Sequence, residues 1–275
     1  MNRIDSVKPQ SFCVQRNARD ATAEDLIPLA FAGYAHFTAL QVRSGGVRGL
    51  DLHLNRLRSA SQSMFGQALL DETVRNAIRA GISASPSDCS LLATMYSSTG
   101  EFTAEATGKP PEILVRTMAP SSGPGGPLSL AVFEYERILP EIKHVGEVAK
   151  TWFMRQAAAQ GFDDAAFVDR HGRFSEASIW NLVFWDGHAV VWPEAAMLRG
   201  TSMGIVMRQL ERLGIPQRHQ IVTQHTLSQI EGAAVMNSWT PGIAVRKLGA
   251  AVIPSAPDFI ALLHKAYGAE PLLKP

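Results

Sequence analysis

The chain has 275 residues, of which 46% are hydrophobic, 19% charged and 8% aromatic, a composition that excludes intrinsic disorder, collagen and coiled coil. Lys and Arg number 26 against 25 Asp and Glu, so no strong field marks nucleic acid or an anionic membrane as a partner, and any anion has to be held locally. The cysteines, Cys13 and Cys89, are too few for a disulfide framework or a cysteine-based zinc site, which fits a reducing, cytoplasmic location. The opening MNRIDSVKPQSF has no apolar run behind its first basic residue, and no stretch approaches the roughly 18 apolar residues of a membrane span.

In chain order, Phe37–Arg43 reads as a strand, Ser44–Gly46 as a hairpin turn, and the segment from Val47 to Gly66 as a strand end feeding a helix. SLLATMYSS and PPEILVRTM are further strands. The run APSSGPGGP, Ala119–Pro127, offers little to bury and favours turns. It divides the chain into a smaller α+β domain over 1–119, a linker over 120–127 and a larger domain over 128–275. Beyond it, LSLAVFEYER is strand-like, Pro140 marks a turn, and a helix runs from about Lys150 to Gln160, where Gly161 ends it. DDAAFVD, ASIWNLVFWD and AVVWP follow as strands, then a helix opened by Gly200, Thr201 and Ser202, a short helix in HTLSQIEGA, and AAVMNSWTPGIAV as a strand broken by a polar turn. The fold class is α/β (α+β).

Two places in the second half can hold a phosphate: the helix opening at Gly200–Ser202 and the turn Asn237–Thr240. A helix start presents backbone N–H groups without intrahelical acceptors, at the positive end of the dipole, and small hydroxyl residues add donors. The ordinary alternative is that Thr201 or Ser202 is an N-cap. Arg56, with His53 three residues before it on the same helix face, can clamp a phosphate bidentately or can be a solvated side chain. Lys143 and Lys150 are candidate amine nucleophiles, and an amine attacks a carbonyl only where its surroundings lower the ammonium pKa. Spacing alone selects neither. Glu176 sits at a turn-to-strand transition among apolar neighbours, where a carboxylate needs a cationic or protonated partner.

Taken together, these segments resemble the class IV aminotransferases, the fold-type IV pyridoxal-phosphate enzymes that include branched-chain and D-amino-acid aminotransferases and aminodeoxychorismate lyase. LHLNRL resembles the family's H-x-x-R-L segment. IKH followed by DDAAFVDRHGRFSEASIWNLVFW resembles the stretch that links its cofactor lysine to its D-E-A, G-x-x-x-E and N-L-F elements. LRGTSM resembles the L-x-G-I-T-R phosphate loop, and MNSWTPGIAV the second phosphate turn. The resemblance runs from about Phe37 to Val245. It implies a two-domain fold of the D-amino-acid-aminotransferase type, with the cofactor between the domains. It also implies pyridoxal 5'-phosphate bound through Lys143, Glu176 at the ring nitrogen, and the phosphate held by Arg56, Thr201, Ser202, Ser238 and the Trp239 amide. A homodimer and a small amino or keto acid substrate follow from the same likeness.

The chain also departs from the family pattern. Met203 stands where the phosphate loop often ends in arginine, and Val148 where branched-chain enzymes carry a tyrosine. Phe37 replaces a pocket tyrosine of the D-amino-acid enzymes, and TMYSSTGEF lacks their clamp arginine. Strand alternation puts Phe37, Ala39, Gln41 and Arg43 on one face, which the resemblance turns toward the cofactor, so Phe37, Gln41 and Arg43 are the candidate substrate residues. The implied activity is transamination. The rivals are a lyase releasing pyruvate and a non-catalytic descendant, which the presence of both Lys143 and Glu176 argues against.

Overall fold

Ser44 and Gly45 both take positive φ, 51° and 70°, the conformation a two-residue turn needs to match the twist of its strands. The computed structural model describes residues 11–30, 33–99 and 109–275. The opening ten residues and Gly100–Phe102 of the TMYSSTGEF segment lie outside the described residues.

By packing, these residues form two units. One takes the described residues within 1–47, 57–121 and 273–275, the other those within 48–56 and 122–272. The second unit therefore includes Arg48–Arg56, which the reading of the sequence left in the first domain. Gly49 meets the Ile205 side chain, Leu52 meets Gly204, and Asp51 accepts from Arg208 at 2.7 Å.

The first unit is built on β1 (Val14–Arg16), β2 (Arg19–Asp20), α1 (Ala23–Leu26), β3 (Ala35–Arg43), β4 (Gly46–Arg48), the later part of α2 (Leu50–Phe65), α3 (Asp71–Ser83), β5 (Cys89–Tyr96) and β6 (Glu112–Met118). Its strands pair antiparallel in the order β4-β3-β5-β6-β1-β2. Thr38, Leu40 and Val42 are buried while Phe37, Ala39, Gln41 and Arg43 are less so, the two-residue period of a strand with one covered face. Helix α3, whose buried residues Val74, Ala77 and Ile78 fall at helical spacing, covers β5 and β6. Its Gly81 lies so near Val115 that a Cβ there would stand 2.6 Å from Val115 Cγ1.

The second unit contains β7 (Leu128–Glu134), α4 (Val148–Ala159), β8 (Asp164–Val168), β9 (Phe174–Ala177), β10 (Asn181–Trp185), β11 (Val190–Pro193), α5 (Thr201–Arg212), β12 (Gln217–Gln220), β13 (Gly232–Met236), β14 (Ile243–Leu248), β15 (Ala251–Val252) and α6 (Pro257–Ala269). The pairing β10-β13-β14-β7-β8-β9 returns to β10 through Asn181 and Glu176, so six strands close on themselves and β11 and β12 extend beyond β10. Alternation divides the barrel residues. Leu130, Ala166, Leu182, Phe184 and Val235 join one core cluster. Their neighbours Val183, Ala234 and Met236 pack in another with residues of α5 and α6, and Ala131, Ala165 and Phe167 in a third with Ala157 of α4.

The stretch read as the single strand ASIWNLVFWD is broken. Glu176 lies inside β9 rather than at a turn-to-strand transition, and the chain bends at Ser178 and Ile179 before β10 begins. The short helix in HTLSQIEGA is a 3-10 turn, Thr226–Gln229. Helices α3 and α6 and strands β9 and β12 were not anticipated.

His36 on β3 is fully buried; it hydrogen-bonds Ser61 Oγ at 2.9 Å and stacks on Phe65. Burial lowers its pKa from 6.5 to about 4. The neutral form is the one that folds, so its contribution is fully present above pH 6.5 and is lost as pH falls toward 4, about 3 kcal/mol in all. Urea unfolding from pH 7 to 4 should therefore show a shallower loss of stability in His36→Gln than in the parent, by up to about 1.4 kcal/mol per pH unit. Equal slopes would refute the assignment.

Candidate active site

Lys143 lies in the loop between β7 and α4, and both its neighbours are tied. Arg137 Nη2 donates to Ile142 O at 2.7 Å, and His144 Nε2 lies 2.9 Å from Ile138 O. Burial, together with the charges of Arg56, Arg137 and Lys150, lowers its pKa from 10.5 to about 7. Near neutral pH a large share of Lys143 is therefore free amine, the form that attacks a carbonyl.

Lys150 is in a different situation. It is buried in the first turn of α4 instead of lying on the surface, with Nζ 3.0 Å from Glu176 Oε2 and 3.8 Å from Glu147 Oε2. Burial lowers its pKa too, but the two carboxylates oppose that effect. The surroundings thus separate the two lysines where spacing could not: Lys143 faces a predominance of cations, and Lys150 is held between anions.

Glu176 is buried on β9, with Oε1 3.8 Å from Arg137 Nη1. Its Cα partner across the barrel closure is Asn181. The Asn181 side chain reaches back to the turn before α5, where Nδ2 donates to Leu198 O at 2.6 Å and Oδ1 accepts from Gly200 N at 3.0 Å. A Cβ at residue 200 would lie 2.1 Å from that oxygen, so glycine is required there by close approach.

Gly200 is the N-cap of α5 and no side chain caps the helix, which corrects the reading of Thr201 or Ser202 as a cap. The amides of the first turn are left without intrahelical acceptors and can receive an anion. The Ser202 hydroxyl donates to Asn237 O at 2.7 Å and ties the helix start to the second turn. In that turn the Trp239 amide donates to Asn237 Oδ1 at 2.8 Å, while Ser238 is half-buried and Trp239 exposed. The Trp239 amide and the Ser202 proton already have acceptors, so an anion here would compete for them. Arg56 donates from Nη2 to Arg199 O at 2.8 Å. Burial and the charge of Arg137 lower it to about 10, and it remains a cation at neutral pH.

The structure thus brings Arg56, Thr201, Ser202, Ser238 and Trp239 onto one linked set of turns, and Lys143, Glu176 and Lys150 into one charge cluster. It adds Arg137, Glu147 and Asn181, which sequence reasoning passed over. The i,i+3 spacing of Glu147 and Lys150 was a usable signal, and Asn181 stood in the N-L-F element without a role, but nothing in the sequence marked Arg137.

Phe37, Gln41 and Arg43 belong to the first unit and share the less buried face of β3. Gln41 Oε1 accepts from Arg43 Nη1 at 3.0 Å and from Ser121 N at 3.1 Å, Gln41 Nε2 donates to Ser90 Oγ at 2.8 Å, and Arg43 Nη2 donates to Ser121 O at 2.9 Å. Both polar side chains therefore clasp the start of the inter-unit segment, a role that the reading of them as substrate residues did not foresee.

Residues 35–248 match the family model for amino-transferase class IV. Among solved structures, the chain is similar to a branched-chain aminotransferase from Thermoproteus uzoniensis with norvaline, at 17% identity over 93% of this chain and 94% of that one, with a TM-score of 0.82. It is similar also to the branched-chain amino acid aminotransferase of Escherichia coli, at 14% identity over 95% of both chains and a TM-score of 0.81. A putative 4-amino-4-deoxychorismate lyase from Legionella pneumophila matches at 18% over 94% and 95%, with a TM-score of 0.76. No curated protein matches the sequence. At these identities the structural likeness establishes the shared fold.

Replacing Gly200 with Ala should force the Asn181 carboxamide out of its place, cost about 1–3 kcal/mol of stability, and loosen the helix start. Calorimetry and phosphate binding by the variant would check this, and parent-like values for both would remove Asn181 as the bracket of that turn.

Proposed function

The chain belongs to the class IV aminotransferase family, a family of pyridoxal 5'-phosphate enzymes, and we propose that its reaction moves an amino group between a small amino acid and a keto acid. The observation that carries this reading is an imbalance of charge. The cations Arg56, Arg137, Lys143 and Lys150 share one electrostatic neighbourhood with the carboxylates Glu147 and Glu176, and both Arg56 and Lys143 are displaced toward neutrality. A phosphate monoester carries about −1.5 to −2 at neutral pH, a charge that a cluster with more cations than carboxylates favours. The open first turn of α5 adds amide donors for the same group.

On this reading Arg56, the amides of Thr201 and Ser202, Ser238 and the Trp239 amide would hold the phosphate. Glu176 holds a proton at the ring nitrogen. The bound cofactor supplies a protonated pyridine ring that draws electron density from the carbon under attack. Lys143 would hold the cofactor through Nζ, and the same atom, as a free amine, would take up and return the substrate's Cα proton. Its displaced pKa, near 7, suits both tasks at neutral pH. We retain Phe37, Gln41 and Arg43 as proposed substrate residues, with Gln41 or Arg43 for the substrate's polar group, which must then displace part of their bonding to Ser121. A homodimer belongs to the same reading: Val148 and Trp152, one turn apart on α4, are exposed apolar residues that a second copy would cover.

A second reading, pyruvate release by a lyase, is favoured by the Legionella neighbour. Amine transfer to a keto acid, set against pyruvate formation from aminodeoxychorismate, separates the two.

Lys143→Ala should abolish both borohydride-stable attachment of the cofactor and turnover, whereas Lys150→Ala should keep the attachment. Labelling at Lys150 in the parent would overturn the assignment. Arg56→Ala should weaken cofactor binding by about 1.5–3 kcal/mol with the fold intact, as read by spectral titration. If affinity is unchanged, Arg56 holds only Arg199.

A further inference from the structure

Lys150 stands in the first turn of α4, where little solvent reaches it, and a buried ammonium persists only beside counter-charges. Its partners are Glu176 at 3.0 Å and Glu147 at 3.8 Å. Arg137, itself buried, pairs with Glu147 and lies 3.8 Å from the other oxygen of Glu176. Two cations and two carboxylates thus alternate around a closed figure, and each oxygen of Glu176 faces a different cation. That arrangement constrains the carboxylate's rotation. The other ionisable groups near the figure are Arg56, Lys143, His144, whose Nε2 is 3.8 Å from Glu147, and Tyr135.

We propose that Lys150 is a positioning residue, acting through Glu176 by holding its carboxylate in a single orientation. This rests on the assignment of Glu176 to the ring nitrogen. Lys150 does not touch the reacting atoms; it sets the group that does. Its charge also bears on Lys143, whose ammonium it disfavours, so Lys150 acts on both the amine and the carboxylate of the site.

The test is a double-mutant cycle of Lys150→Met and Glu176→Gln, with Lys150→Arg as the conservative variant. Three quantities are read: affinity for added pyridoxal 5'-phosphate, the pH midpoint of the bound cofactor's visible absorbance, and the pH midpoint for acylation of Lys143 in the apo protein. Lys150→Met should lower affinity about tenfold, move the absorbance midpoint by about one pH unit, and raise the Lys143 midpoint. Lys150→Arg should restore most of the first two. In the Glu176→Gln background Lys150→Met should change affinity and the absorbance midpoint little, because its effect runs through the missing carboxylate. Equal losses in both backgrounds, or a lowered melting temperature with an unmoved absorbance midpoint, would overturn the proposal and leave Lys150 a structural ion pair. Should Lys150→Met not fold, Lys150→Gln carries the same cycle. If Glu176→Gln alone leaves affinity and absorbance unchanged, the ring-nitrogen assignment falls and the positioning role with it. An effect of Glu176→Gln without one of Lys150→Met removes the positioning role only.

Discussion

The pairing of Glu176 with Asn181 is the constraint on which the second unit depends. It closes six strands into a barrel, so each of them has a neighbour on both sides. The same pair has chemical consequences on either side. The Glu176 side chain faces the cations of the loop before α4 and its first turn, while the Asn181 side chain reaches the turn that opens α5. A carboxylate and a helix N-terminus are thereby held at a separation set by backbone geometry rather than by flexible side chains.

Buried charge is tolerated in this unit because it is distributed. Isolated burial of an ammonium or a carboxylate is prohibitive, and a buried pair often contributes nothing net to stability. The figure formed by Arg137, Glu147, Lys150 and Glu176 gives each ion two neighbours of opposite charge. A protein selected for stability alone would replace such a cluster with apolar residues. Its presence here accords with the proposed use of Glu176 as a fixed carboxylate.

Much of this was legible in the sequence where the signal is local. The Ser44–Gly46 hairpin, the Pro- and Gly-rich break after Met118, and the helix opening at Gly200 follow from turn chemistry and periodicity, and the segments around Lys143 and Glu176 carried the family resemblance. Strand β9 escaped because it is four residues long and half polar; its identity comes from the strands on either side of it. The position of Lys150 escaped because a lysine's burial is decided by carboxylates brought from elsewhere, Glu176 being 26 residues away. Gln41 and Arg43 were placed correctly on one face of a strand, but that period cannot reveal that Ser90 and Ser121 occupy their polar groups. The N-cap at Gly200 was ambiguous for a similar reason: only the approach of Asn181 shows why a glycine, and not the neighbouring hydroxyl residues, takes that place.

The order in which the barrel strands occur along the chain has a consequence for its synthesis. Strand β7 pairs in parallel with β14, more than a hundred residues later, and β10 must wait for β13. During translation β8 and β9 find their neighbours among β7 and β10, but one side of β7 waits for β14 and one side of β10 for β13, so the barrel stays open until residues near Leu248 emerge. Lys143 and Glu176 are made early, but the barrel that fixes them forms late. Nascent chains truncated before β14 therefore lack a closed barrel even though most of the site residues are already present.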